Sequence, residues 1–72
     1  MSVTQTKIEE LDVVAFLQAQ RHWPASTEGT VLIDSDGDNL VEIADERGEG
    51  LDFIWVPTEQ LRLVWKCPPL SS

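Results

Sequence analysis

The chain predicts an all-β fold, a compact barrel or sandwich of five short strands. Three observations carry that prediction. Short apolar runs recur at intervals of about 8–12 residues, turn chemistry separates them, and 72 residues leave room for one domain. The first run is Leu11-Asp12-Val13-Val14-Ala15-Phe16-Leu17. Upstream of it, Thr6-Lys7-Ile8-Glu9 has the form of a capping box, and Ile8, Leu11, Ala15 and Gln18 follow at near-helical spacing. Residues 7–21 therefore admit helix or strand. The β-branched pair Val13-Val14 favours a strand over Asp12–Leu17, preceded by a short helical turn.

The second run, Thr30-Val31-Leu32-Ile33, is entered through Glu28-Gly29. The third is Leu40-Val41-Glu42-Ile43-Ala44, and the intervening Asp36-Gly37 predicts a tight hairpin, because Asp and Gly tolerate the positive φ of such turns. The fourth, Leu51-Asp52-Phe53-Ile54-Trp55-Val56, follows Arg47-Gly48-Glu49-Gly50 and stops at Pro57. Leu61-Arg62-Leu63-Val64-Trp65 is the fifth. The domain is thus expected over residues 11–65, between a flexible N-terminal segment, 1–10, and a flexible tail, 66–72, in which Pro68-Pro69 cannot donate to a ladder.

The order of these runs resembles a family of short bacterial proteins catalogued as domain of unknown function forty-nine twenty-six. The residues that carry the resemblance are Leu11 to Ala15, then Gly29-Thr30-Val31, then Val41-Glu42-Ile43-Ala44-Asp45-Glu46-Arg47-Gly48, and a closing Gln60-Leu61. The chain departs from the family pattern in having Glu28 before Gly29 and Pro24-Ala25-Ser26-Thr27 in place of a Gly-rich approach. Gly-Thr-Val and Val-Glu elements are shared by many small SH3-like barrels, so the expected fold is a five-stranded SH3-like barrel. The resemblance further implies a small interaction protein, encoded in some cases beside a larger toxin-like or effector-like partner, and it brings no catalytic motif.

Charge narrows the partners. Thirteen Asp and Glu against five Lys and Arg give a net charge of −8. Such a surface repels phosphate backbones, which argues against direct nucleic-acid or anionic-membrane binding. No apolar run reaches the ~20 residues of a membrane span, and the N-terminus lacks a signal-peptide pattern. With Cys67 alone, no intrachain disulfide can form, which fits a reducing, cytoplasmic setting.

Catalytic constellations are weak. His22 is the sole histidine and would have to act with Cys67 or a serine; it is read as a surface imidazole in a loop, and Cys67 as an incidental, exposed thiol. Four Cys/His zinc ligands are not present. The spacing Asp34-x-Asp36-x-Asp38 invites a calcium reading, but position six of that loop is Asn39 where the calcium loop needs Gly, and position twelve is Asp45 where it needs Glu. The expectation is a non-enzyme with no cofactor and no metal.

The aromatics are more informative. In the fourth run Leu51, Phe53 and Trp55 share one face and Ile54 and Val56 the other. A small barrel needs one of those faces, so the surplus face must meet a tail, a second copy or another protein. Trp23, held by Pro24 in a polar loop, is expected to be exposed. The expected function is a small acidic module that docks on a larger, basic protein through Trp23, Asp36, Asp38, Glu46 and Trp55; the antitoxin-like or immunity-like role rests on the resemblance. The alternatives are a calcium-binding β-domain using Asp34, Asp36 and Asp38, or a homo-oligomeric (dimeric) structural subunit.

Overall fold

A computed structural model describes residues 7–68 of the chain. It is all-β, as the sequence predicts: β1 (Val13–Phe16), β2 (Glu28–Ser35), β3 (Asp38–Ala44), β4 (Gly50–Pro57) and β5 (Leu61–Trp65) form one antiparallel sheet in the order β4-β3-β2-β1-β5. The first and last strands of the chain, β1 and β5, are neighbours in this order, β4 and β5 stand at its two ends, and the sheet has the form of a small barrel-like domain. A 3-10 turn at Thr58–Gln60 joins β4 to β5 and is the only helical element among the described residues. No helix there is long and apolar enough to cross a membrane.

Alternation in the sequence sets the two faces. Val14, Phe16, Val31, Val41, Ile43, Ile54, Val56 and Leu61 point inward and form the core, with Trp23 and Leu63 packed against it. Each of three ladders carries a register shift, beside Val13, between Val31 and Ile33, and at Ile43/Ala44. Such bulges sharpen strand twist, which a five-stranded sheet needs to wrap its own core. Crossing is tight at Gly29, where a Cβ would lie 2.5 Å from Val41 Cγ1 and 2.8 Å from the Glu42 carbonyl oxygen. Asp36 and Gly37 both take positive φ, 47° and 89°, giving the hairpin turn expected of Asp-Gly.

The segments flanking the barrel differ from expectation. The described residues 7–12 form a turn and no helix, and Ile8 is buried in the core, so the domain begins before Leu11. Glu9 is not a cap: its carboxylate takes a hydrogen bond from Lys66 Nζ at 2.9 Å, while Glu9 N–H donates to Asp12 Oδ2 at 2.8 Å. Lys66 and Cys67 are likewise part of the packed structure. Lys66 Nζ donates to Asp12 Oδ2 and to the Lys7 carbonyl, both at 2.8 Å, and Cys67 N–H donates to Asp12 Oδ1 at 2.9 Å. The reason is Asp12, a buried carboxylate that draws donors from both flanking segments. Residues 1–6 and 69–72, the rest of the expected flexible segments, lie outside the described residues.

Candidate functional site

The outer face of the sheet is built by register. Trp55 lies opposite Leu40, and Leu40 opposite Ile33; Phe53 lies opposite Glu42, and Glu42 opposite Thr30. Directly opposed residues share a face, so these two cross-strand rows form one surface over β4, β3 and β2. Its apolar members are open to solvent: Leu51 is 56% exposed, Phe53 53%, Trp55 50% and Ile33 41%. Ile54 and Val56, which alternate with Phe53 and Trp55 in β4, are buried. The surplus aromatic face read from the sequence is therefore present and uncovered among the described residues.

Gly50 shapes one end of this face. A Cβ there would meet Glu42 Oε2 at 2.8 Å and Phe53 Cζ at 3.3 Å, so the missing side chain lets the Glu42 carboxylate and the Phe53 ring settle together over the strand. An acidic side chain thus sits within the apolar face as well as around it. Asp36 and Asp38 lie at the β2–β3 turn, with Asp38 opposite Ser35 and Pro57. Asp38 Oδ1 accepts the Asn39 N–H at 3.2 Å. Glu46 is exposed at the opposite end of β3, in the turn that Asp45 organises by accepting the N–H groups of Arg47 at 2.9 Å and Glu49 at 3.0 Å. The seven residues of β3 separate the two acidic ends by roughly 20 Å. The anticipated acidic residues bracket the aromatic face; they do not gather into one cluster.

Trp23 is placed differently from expectation. Gln20 and Trp23 exchange two backbone hydrogen bonds of 2.9 Å around Arg21, which has φ 56°, and this tight hairpin turns the indole back onto the core. Trp23 Nε1 donates to Asp52 Oδ2 at 2.8 Å. That indole hydrogen bond, with smaller help from the Phe53 amide and from His22 and Arg21, holds the Asp52 carboxyl below its ordinary range in spite of burial. Trp23 is half-buried on the inner side of β4, while Trp55 stands on the outer side, so the two tryptophans do not form a joint anchor.

Phe53 was read onto this face from the sequence, whereas Leu40, Ile33 and Glu42 complete it and were not placed there. The odd-numbered period of 51, 53 and 55 signals Phe53; the partners on β2 and β3 depend on register, which single-strand periodicity does not give.

Among the described residues nothing else gathers into a chemical site. His22 is exposed, its Nε2 3.9 Å from Asp52 Oδ2 and its ring 5.0 Å from that of Trp23. Cys67 is half-buried and remote in role from His22, its Sγ lying 3.6 Å from the Pro68 carbonyl. An open concavity of about 890 Å³ is lined by Ile8, Leu17, Leu61 and Leu63 with Lys7, Arg62, Asp34 and Glu59, and neither His22 nor Cys67 reaches it. Among the described residues no three His, Cys, Asp or Glu side chains come together as a metal-ligating group, Asp34, Asp36 and Asp38 included.

The fold and the face define a class: a small all-β, barrel-like domain with a solvent-exposed aromatic surface between acidic turns. Comparison with protein families, curated proteins and solved structures gives no match to the chain.

Proposed function

We propose that this protein is an acidic, non-catalytic docking module that binds a larger basic protein through the outer face of β2, β3 and β4. The observation that carries the reading is the row of Phe53 and Trp55, half exposed beside Leu51, Ile33 and Leu40. Clustered large apolar side chains on a soluble surface mark contact sites, and Trp contributes much buried area for little lost rotamer freedom. Glu42 within the face and Asp36, Asp38 and Glu46 around it favour a cationic partner and raise its encounter rate. The more specific form of the proposal, an antitoxin-like or immunity-like protein of the bacterial cytoplasm, rests on the family resemblance.

The test is a pull-down from native lysate at low and high salt, with the wild type beside Trp55→Ala. One stoichiometric partner, released by salt and lost in Trp55→Ala, is the expected result; the substitution should weaken binding by about 2 kcal/mol or more, with the fold intact because the ring lies outside the core. Full retention by Trp55→Ala returns the aromatic face to ordinary surface.

A further inference from the structure

We infer that the partner adds a strand to the open edge of β4, and that the added segment is extended and alternates aliphatic residues with Lys or Arg. The inference rests on the docking reading above and specifies its mode. β4 is eight residues long, stands at the end of the sheet order and, among the described residues, is paired with β3 alone. Among the described residues no backbone–backbone hydrogen bond from another segment reaches Gly50–Pro57.

Which groups face outward follows from the hairpin. The Asp36-Gly37 turn with both φ positive makes Ser35 and Asp38 a hydrogen-bonded pair. Alternation along β3 then directs Asn39, Val41 and Ile43 toward β4, where they oppose Val56, Ile54 and Asp52. The backbone groups of Phe53 and Trp55 are left pointing away from the sheet. In accord with this, Phe53 N–H takes a side-chain acceptor, Asp52 Oδ1 at 2.9 Å, in place of a ladder partner. The residues with outward backbone groups are thus those with exposed aromatic rings, so one added strand can satisfy the edge and pack against both rings.

Charge selects the occupant. The turn after β3 carries Glu46 and Glu49 against a single Arg47, and the other end of β4 adjoins Asp38 and Glu59. Two-fold pairing of β4 with β4 of a second copy would bring one acidic end onto the other, which opposes association. A basic extended segment meets attraction at both ends.

The experiment titrates the 15N-labelled protein with an acetylated, amidated eight-residue peptide of alternating Val and Lys or Arg. Controls are the same peptide N-methylated at two consecutive central residues, so that neither of its edges can pair, and a version with Glu for each cation. The expected result is salt-sensitive binding, slowed amide exchange at Phe53 and Trp55, a loss of about tenfold or more in affinity on N-methylation, and no binding of the Glu peptide. Equal binding of the N-methylated peptide overturns strand addition and leaves the docking face standing. The absence of any change at Phe53 and Trp55 also overturns strand addition, and the Trp55→Ala pull-down then judges the docking face separately. Protection that grows with protein concentration alone, with a dimer in sedimentation, overturns the cationic occupant in favour of a second copy.

Discussion

Asp12 shows how one side chain decides where the domain ends. It is 1% exposed and receives the Lys66 ammonium and the amides of Glu9 and Cys67. Burial alone would push its carboxyl up; Lys66 and the two amides more than reverse that and hold it below the ordinary range. The hydrogen bonds from Lys66 to Asp12, and then to Glu9, raise the Lys66 ammonium in turn. A lowered acid adds stability above its unfolded pKa, and that stability is lost as pH falls through the folded value; a raised base adds stability that is lost as pH rises through its folded value. The contact is therefore fully effective from about pH 4 to about pH 10. Asp12→Ala should cost about 2–3 kcal/mol at pH 7, because it leaves the surrounding donors without an acceptor. Urea titrations at pH 7 and pH 3 check this: the gap between variant and wild type should shrink at pH 3, and a constant gap would separate the stabilisation from ionisation of Asp12.

Among the elements, β2 depends most on one residue. Because Gly29 faces Val41 and the Glu42 carbonyl at less than normal contact distance for a Cβ, Gly29→Ala is expected to destabilise by about 2–3 kcal/mol in chemical denaturation. An unchanged midpoint would mean that β2 and β3 can separate without loss. All five strands were legible because their signals are local: β-branched runs, the Asp36-Gly37 turn, and Pro57 closing β4. The outer aromatic face was legible for the same reason, since Leu51, Phe53 and Trp55 recur with period two. Other placements depend on contacts between distant positions. Trp23 and Asp52 are 29 positions apart and no pattern in either neighbourhood announces their hydrogen bond. Ile8 reads as one apolar residue in a polar segment, and its burial follows from the turn that Asp12 stabilises. Asn39 was weighed in the sequence only as a position of the calcium-like loop, yet it is fully buried at the start of β3, where its Nδ2 donates to Thr58 Oγ1 at 2.7 Å and ties the 3-10 turn to the sheet.

Across the whole molecule, charge and shape divide the work of recognition. The acidic residues stand at both ends of β3 and the aromatic contact lies between them, so long-range attraction and short-range packing can be altered independently. Asp36→Lys, Asp38→Lys and Glu46→Lys together move the net charge from −8 to −2, each reversal adding two. With a basic partner, that variant should associate about tenfold more slowly at low salt while its dissociation rate changes little. Stopped-flow association at low ionic strength reads this, and an unchanged on-rate would remove steering from the account.

The Asp12–Lys66 contact joins positions 54 apart, and the β1–β5 ladder beside it spans nearly the same length of chain. By contrast, β2, β3 and β4 follow one another through short turns and can assemble as a meander before the ends of the chain have met. Contacts between distant positions cost loop-closure entropy before they return any stability, so this closure belongs late in the order of events. Asp12→Ala is then expected to shorten the lifetime of the folded state, raising the unfolding limb of a chevron at unchanged slope, while the refolding limb stays close to that of the wild type. A refolding limb slowed in proportion to the lost stability would instead make the meeting of the chain ends the rate-limiting event.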